Sequence, residues 1–151
     1  MYSSFVTRSP VSAESAAVAP APRILPETDE TTRPYWTSGA SGQLRIAHCG
    51  ACRRFIHPPP RVCPDCSGPI TFEAVSGSGT VFTYTVAHQQ FRPDVPTPFV
   101  VALIELDEQA DLRVVANIVD CEPDAVTSGL RVSVRFEQHG EVFVPVFAPV
   151  D

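Results

Sequence analysis

Two C-x-x-C pairs lie close together in the stretch CGACRRFIHPPPRVCPDC. Their cysteines are Cys49, Cys52, Cys63 and Cys66, and ten residues separate the two pairs. Two tight turns at this spacing can present four thiolates to one tetrahedral ion, which is typical of a zinc ribbon. Because four thiolates fill the coordination sphere of zinc, the predicted ion is structural and leaves no position for a substrate. The sequence therefore predicts a small module that a metal holds together.

Other interpretations of these cysteines are possible. A pair of disulfides would suit a secreted chain, and a redox C-x-x-C is expected once, beside a βαβ pattern that this sequence lacks. His48 and His57 lie close to the cysteines and could each replace one thiolate. The fifth cysteine, Cys121, lies at the end of an apolar stretch, which favours a buried free thiol over a nucleophile.

Composition narrows the classes of function. A chain of 151 residues is long enough for one domain, or for two small modules of which the smaller needs a metal. The net charge of −6 opposes binding to a phosphate backbone, and all eleven basic residues are Arg, so no lysine can form a Schiff base. The N-terminus does not resemble a secretory signal and no apolar run is long enough for a membrane helix. We therefore expect a cytoplasmic protein that binds neither nucleic acid nor membrane.

The order of the chain predicts four segments. Residues 1–25, rich in Ala, Ser and Pro, are expected to form a disordered leader. Residues 26–42 are expected to form a short helical docking segment, with a helix near 27–36 that carries acidic residues in its first turn. In this segment Trp36 serves either as a core anchor or as an anchor on a partner. The zinc ribbon is expected over residues 43–69, and a barrel over 70–151.

The second half of the chain alternates with a period of two residues. The segments 70–75 and 80–88 are interpreted as one strongly bent strand, in which Gly77 and Gly79 mark a bulge or bend. Further strands follow, separated by turn signals, with at most one short helical turn near 123–127. Five or six such strands predict a small OB-type Greek-key barrel. The predicted fold class is mainly β: a short helical segment, a rubredoxin-like zinc ribbon and a C-terminal OB-fold barrel.

The four cysteines are followed in order by SGSGTVFTYTV, PFVVALIELD, SGLRVSVRF and VPVFAP. This combination resembles the zinc-ribbon plus OB-fold family known as domain of unknown function 35. The resemblance covers about residues 31–149 and implies an accessory subunit of a thiolase-superfamily enzyme that acts on acyl-CoA thioesters. It implies a hetero-oligomer, such as two copies of each subunit, with acyl-CoA at the shared interface. Among the family's reactions, the Arg-only composition favours a steroid side-chain aldolase, with retro-aldol cleavage carried out by the partner.

The resemblance also implies which residues meet the partner and the substrate. The implied docking residues lie in the helical segment and the ribbon: Tyr35, Trp36, Phe55, Ile56, His57 and Pro58. An acyl-CoA channel is proposed at the proline-stiffened loop before the second barrel strand. Phe91, Val95 and Phe99 would line the apolar path there, and Arg92 would meet a CoA phosphate.

Two alternative functions are weighed against an accessory subunit. A nucleic-acid-binding ribbon and OB module would need a positive groove with exposed aromatic side chains, and only Phe82 and Tyr84 share a face among acidic strands. A stand-alone acyl-CoA binder or thioesterase would need a site that the sequence does not display. The sequence shows no nucleophile elbow, phosphate loop or H-E-x-x-H motif, and its four His, including His88 at a strand end, are scattered. The chain is therefore predicted to be non-catalytic.

Overall fold

The structure is a computed structural model that describes residues 22–151. Most of the expected leader, residues 1–21, lies outside the described residues, and residues 22–26 belong to no helix or strand. The chain then turns at Asp29, whose Oδ1 accepts hydrogen bonds from the backbone N–H groups of Thr31 and Thr32. The N–H of Thr32 lowers the pKa of the Asp29 carboxyl group below its usual value. These bonds begin the single helical turn that follows.

This helix, α1 (Arg33–Trp36), is shorter than the helix expected over 27–36, and Pro34 occupies its first turn. A proline fits there because the first N–H groups of a helix have no partner within the helix. A 3₁₀ turn over Ser38–Ser41 follows directly. Among residues 22–151, no helix has the length and apolar character needed to cross a membrane.

The ribbon is a three-stranded antiparallel sheet with its first strand in the middle. The strands are β1 (Arg45–Cys49), β2 (Phe55–Ile56) and β3 (Ile70–Ala74), in the order β2-β1-β3. β3 pairs with β1 over its whole length, from Arg45 opposite Ala74 to Cys49 opposite Ile70. The interpretation of 70–75 and 80–88 as one bent strand is therefore wrong. The β3 segment completes the ribbon sheet because β2 covers only one edge of β1.

The remaining five strands close into a barrel, which confirms the predicted mainly β fold class. They are β4 (Ser78–Ala87), β5 (Phe99–Leu106), β6 (Arg113–Ile118), β7 (Arg131–His139) and β8 (Val142–Pro149). Their order is β4-β5-β6-β8-β7, with β7 pairing back to β4, and all pairs are antiparallel except β6 with β8. A short 3₁₀ turn over Pro123–Ala125 joins β6 to β7. This is the Greek-key arrangement of an OB fold.

Alternation along β5 shows how the barrel fills its interior. Val100, Ala102, Ile104 and Leu106 are buried, and the residues between them are partly exposed. The register of β4 against β5 shifts between Val81 and Thr83, so the bulge lies beyond the glycines that predicted it. Gly79 has another role, since a Cβ there would lie 2.5 Å from the carbonyl oxygen of Glu105. Glycine is needed here because two strand backbones approach closely.

The turn between β5 and β6 joins the barrel to the ribbon. The Gln109 side chain accepts a hydrogen bond from the Phe55 N–H at 2.9 Å and donates one to the Phe55 carbonyl at 3.0 Å. Next to it, Glu108 accepts a 2.6 Å bond from the Ser76 N–H. Leu44 and Ile46 belong to the same buried apolar cluster as the barrel interior. The two modules therefore share one core.

Candidate metal centre and apolar groove

The four cysteines of the two C-x-x-C pairs meet at one end of the ribbon. All four Sγ atoms lie within 4.8 Å of one another, with Cys49 3.5 Å from Cys66 and Cys52 3.6 Å from Cys63. A tetrahedral zinc ion with Zn–S bonds of about 2.3 Å requires S–S separations of about 3.8 Å. The four sulfur positions therefore fit one zinc ion.

Two copies of the same backbone turn aim these thiols. In each copy the residue after the second cysteine has a positive φ, 62° at Arg53 and 59° at Ser67. The N–H of that residue donates a 2.9 Å hydrogen bond to the carbonyl of the first cysteine, Cys49 or Cys63. Since both turns have the same geometry, the two pairs approach the ion as a pseudo-symmetric clamp.

The backbone around Cys49 favours a thiolate at that residue. The Cys52 N–H lies 3.4 Å from Cys49 Sγ, and this hydrogen bond is the main reason that the pKa of Cys49 is lowered to about 6. At Gly68 a Cβ would lie only 3.0 Å from Cys49 Sγ and 3.1 Å from Cys66 Sγ, so this glycine leaves room for the sulfur atoms. Zinc prefers thiolate ligands, and such a set holds the ion without an open position. The fit supports a structural zinc site.

The two histidines near the cysteines take part in other contacts. His48 is buried, its ring packs edge-on against Phe55 with centroids 4.8 Å apart, and its Nδ1 lies 3.3 Å from a Glu73 carboxylate oxygen. His57 packs against Tyr35 at 4.8 Å, and burial lowers the pKa of His57 to about 4. Within residues 22–151 the cluster of metal-ligating atoms comprises the four cysteines alone. Neither histidine replaces a thiolate in this geometry.

Cys121 is partly buried and packs against the barrel core. Burial is the main cause that raises the pKa of its thiol above the ordinary value, and the neighbouring carboxylates add to the effect. A raised pKa leaves little thiolate at neutral pH. These properties agree with an unreactive thiol.

The implied docking residues come together where α1 meets the ribbon. Tyr35 is 4% exposed, and its ring meets Trp36 edge-on at 4.9 Å. Burial raises the pKa of the Tyr35 phenol. Phe55 and Ile56 are half-buried in β2, whereas Pro58 is exposed. Tyr35 is thus an internal support, and Trp36 and Pro58 keep surface that another chain can reach.

A groove of about 800 Å³ runs along the outside of the barrel. Its lining comes from residues 22–26, from Tyr35 and Trp36, from the 92–99 loop, and from strands β5 to β8. Of the proposed channel residues, Arg92, Val95 and Phe99 line it. Phe91 is 77% exposed and is not part of the lining, and Arg92 forms a 2.5 Å ion pair with Asp94. The charge of Arg92 is therefore already matched within its own loop.

Sequence reasoning missed several residues of the groove. The leader predicted over residues 1–25 includes Arg23, Ile24 and Leu25, which form one wall of the groove. Val101 and Val115 are not among the predicted channel residues, although both occupy outward positions that an isolated barrel would fill with polar side chains. Apolar residues on both faces of β5 and β6 were the sequence signal that could have predicted an apolar groove on the outside of these strands.

Phe82 and Tyr84, the aromatic pair considered for nucleic-acid binding, do not lie on a positively charged surface. The Arg113 guanidinium lies 3.6 Å from the ring centroid of Phe82, and Arg113 also bonds to Glu105 at 3.0 Å and to Asp111 at 2.9 Å. The Glu105 and Asp111 carboxylates offset the charge of Arg113. A phosphate backbone would meet little unpaired positive charge on this face.

The fold and the metal centre define a class of protein: a zinc ribbon joined to an OB-fold barrel. Two family models match, described as "ChsH2, rubredoxin-like zinc ribbon domain" over residues 36–73 and "ChsH2, C-terminal OB-fold domain" over residues 72–137. A Methanothermobacter thermautotrophicus protein named "DUF35 domain-containing scaffold protein" is 32% identical over 114 residues, which are 72% of this chain and 83% of that protein. The chain belongs to the DUF35 family of zinc-ribbon and OB-fold proteins.

Two longer relatives are named as hydratase subunits. The "Probable enoyl-CoA hydratase alpha subunit" of Thermomonospora curvata is 38% identical over 119 residues, 76% of this chain. The "3-oxo-4,17-pregnadiene-20-carboxyl-CoA hydratase alpha subunit" of Mycobacterium tuberculosis is 34% identical over 116 residues, 75% of this chain. In both cases the match covers 36% of the relative, so this chain spans about a third of their length.

Solved structures show the same architecture. A chain from the structure titled "Ltp2-ChsH2(DUF35) aldolase" superposes with a TM-score of 0.75 at 32% identity, covering 83% of this chain and 98% of that chain. A DUF35 protein of unknown function from Sulfolobus solfataricus superposes with a TM-score of 0.61 at 14% identity, covering 82% of this chain and 87% of that one, which shows the fold alone. Relatives of this chain are thus named as scaffold proteins and as parts of enzyme complexes.

Proposed function

We propose that this chain is a non-catalytic accessory subunit that binds and supports a thiolase-superfamily enzyme acting on acyl-CoA thioesters. The partner would be an aldolase of steroid side-chain degradation, and retro-aldol cleavage would take place in the partner. The observation that carries the proposal is the match to a chain of a structure titled as an aldolase, which covers 83% of this chain and 98% of that chain. The mycobacterial relative, named for a pregnadiene carboxyl-CoA, supports the steroid class.

The geometry supports a role without chemistry of its own. The metal centre has four thiolates, so it lacks the open position that a catalytic zinc ion keeps for water or substrate. When bound, the zinc ion holds the two turns of the ribbon together. Burial of Tyr35 against His57 fixes the orientation of Trp36. The metal and this packing would keep a docking surface rigid at low entropic cost.

The proposed docking surface comprises the accessible part of the implied residues. Tyr35, Phe55, Ile56 and His57 would support Trp36 and Pro58 from inside. The groove, with Val95 and Phe99 in its wall and Phe91 and Arg92 at its loop, would face acyl-CoA at the shared interface. We further propose that the complex is a cytoplasmic hetero-oligomer. In it, residues 26–42 dock on the partner, the ribbon orients this docking segment, and the barrel borders the substrate.

Co-expression with a thiolase-superfamily protein tests the function, and a gene for such a protein beside the gene of this chain would identify the one to use. We expect the partner to be soluble and active only with this chain, and the two to co-purify. Trp36→Ala should weaken co-purification, because aromatic anchors carry a large share of interface energy. Val150→Ser, a change of another exposed apolar residue outside the proposed surface, is the matched control. A partner that is equally soluble and active alone would contradict the proposal.

A further inference from the structure

The groove is lined mostly by apolar residues, but it also contains two arginines, Arg23 and Arg92. Arg23 donates a 2.5 Å hydrogen bond from Nε to Glu137 and a 2.7 Å bond from Nη1 to the side-chain oxygen of Asn117. Asn117 in turn donates to the Val100 carbonyl at 2.9 Å. Asn117 lies in β6 and Glu137 in β7, the strands on either side of β8. We call Arg23, Asn117 and Glu137 the Arg23 bridge.

The Arg23 bridge keeps hydrogen-bonding capacity. Its Nη2 has no hydrogen-bond partner among residues 22–151, although only 20% of the Arg23 side chain is exposed. The Glu137 side chain is 17% exposed. A guanidinium group carries five N–H donors, and donors in a poorly hydrated site bond strongly to an acceptor oxygen. Of the two arginines in the groove, Arg92 pairs with Asp94 in its own loop, whereas Arg23 is held at a fixed position by residues of two strands.

This combination favours one kind of occupant. A volume of about 800 Å³ falls within the range of pockets that enclose small ligands, roughly 300–1,000 Å³. Val101, Val115 and Phe99 offer an apolar wall to a skeleton that carries few polar groups. An oxygen on that skeleton would match the donors of Arg23, whereas a wholly apolar occupant would leave them unpaired.

We infer that the groove binds the apolar acyl portion of the partner's CoA substrate, and that the Arg23 bridge donates a hydrogen bond to an oxygen on that acyl skeleton. The inference rests on the proposed function for the ligand class, and it makes Arg23 a residue that determines specificity. The mycobacterial relative is named for a compound with a 3-oxo group, which is an oxygen of the kind required.

Binding to the full chain tests the inference with two probes. One is a steroid carboxylic acid with a 3-oxo group, and the other is the same acid without that oxygen. Trp36 is the only Trp of the chain and lines the groove, so its fluorescence reports occupancy. We expect the oxo probe to bind roughly tenfold to hundredfold more tightly, the range for a hydrogen bond to a charged group.

Arg23→Met should reduce this preference to about one, while the apolar probe binds as before. Arg23 lies in no helix or strand, so the variant keeps the barrel. Arg135→Met, which changes an exposed arginine outside the groove, should keep the full preference. The inference is overturned if the wild-type chain binds neither probe, binds both equally, or keeps its preference in Arg23→Met. Co-purification with the partner is measured separately, so a failure of the complex and a failure of the groove give different results.

Discussion

At the scale of single residues, the metal centre depends on a glycine that leaves room for the cysteine sulfur atoms. Gly50 lies between the two cysteines of the first turn, and Gly68 lies two residues after the last cysteine of the second turn. The space around the two glycines differs. A Cβ at Gly50 would make ordinary contacts with Pro69 at 3.6 Å or more. A Cβ at Gly68 would lie 2.8 Å from the Ala51 Cβ and about as close to two zinc-ligand sulfur atoms. The sequence pattern around the cysteines does not reveal this difference.

We expect Gly68→Ala to weaken zinc binding at least tenfold, because the new methyl group would push two ligand sulfurs from their positions. Gly50→Ala should bind zinc as the wild-type chain does. Competition with a chromophoric chelator measures both affinities under one set of conditions. Equal affinities for the two variants would show that the turn at Gly68 adjusts without disturbing the ligands.

At the scale of elements, the short strand β2 is held from outside its own sheet. One edge of β2 pairs with β1, and Gln109 from the β5–β6 turn bonds to both backbone groups of Phe55. The side chain acts as a neighbouring strand would at this position. Arg131 reinforces the same turn from β7 through bonds of 2.7 and 2.6 Å to Asp107, and it lowers the pKa of that carboxyl group. One turn of the barrel thereby holds the ribbon.

Gln109→Ala should lower the free energy of unfolding by about 1–3 kcal/mol, the cost of leaving a partly buried backbone group without a partner. Denaturant unfolding measures the loss, and the Phe55 amide should exchange its hydrogen faster. The control is Gln138→Ala, because that side chain bonds only within its own exposed hairpin. A loss equal to that of the control would show that the Gln109 side chain does not hold β2 to the barrel.

At the scale of the whole molecule, the ribbon and the barrel share one core, although different interactions stabilise them. The barrel is closed by its own strands, whereas the ribbon has three short strands and needs its metal. Leu44 and Ile46 extend the barrel's apolar cluster into the ribbon, and Tyr35 joins it from α1. The loss of zinc should therefore affect the modules unequally.

We expect chelation of zinc to abolish hydrogen-exchange protection in β1–β3 while β5 and β6 stay protected. Structural zinc contributes on the order of 10–16 kcal/mol to folding in isolated zinc modules, which far exceeds what so small a sheet supplies. Chelator already saturated with zinc is the control, and added zinc should restore the protection. Uniform loss of protection through the barrel would mean that the two modules unfold as one unit.

The sequence alone determined the metal centre and the barrel. Ligand spacing is a local property of the chain, and a period of two residues follows from strand geometry, so both are visible without a structure. The sequence did not show that β3 belongs to the ribbon sheet and not to the barrel, since the pattern of a single strand does not specify the sheet edge with which it pairs. The groove and the Arg23 bridge were decided by tertiary structure. Arg23 is 94 positions from Asn117 and 114 positions from Glu137 in the sequence. Only the closed barrel, with residues 22–26 lying across it, brings these three residues together.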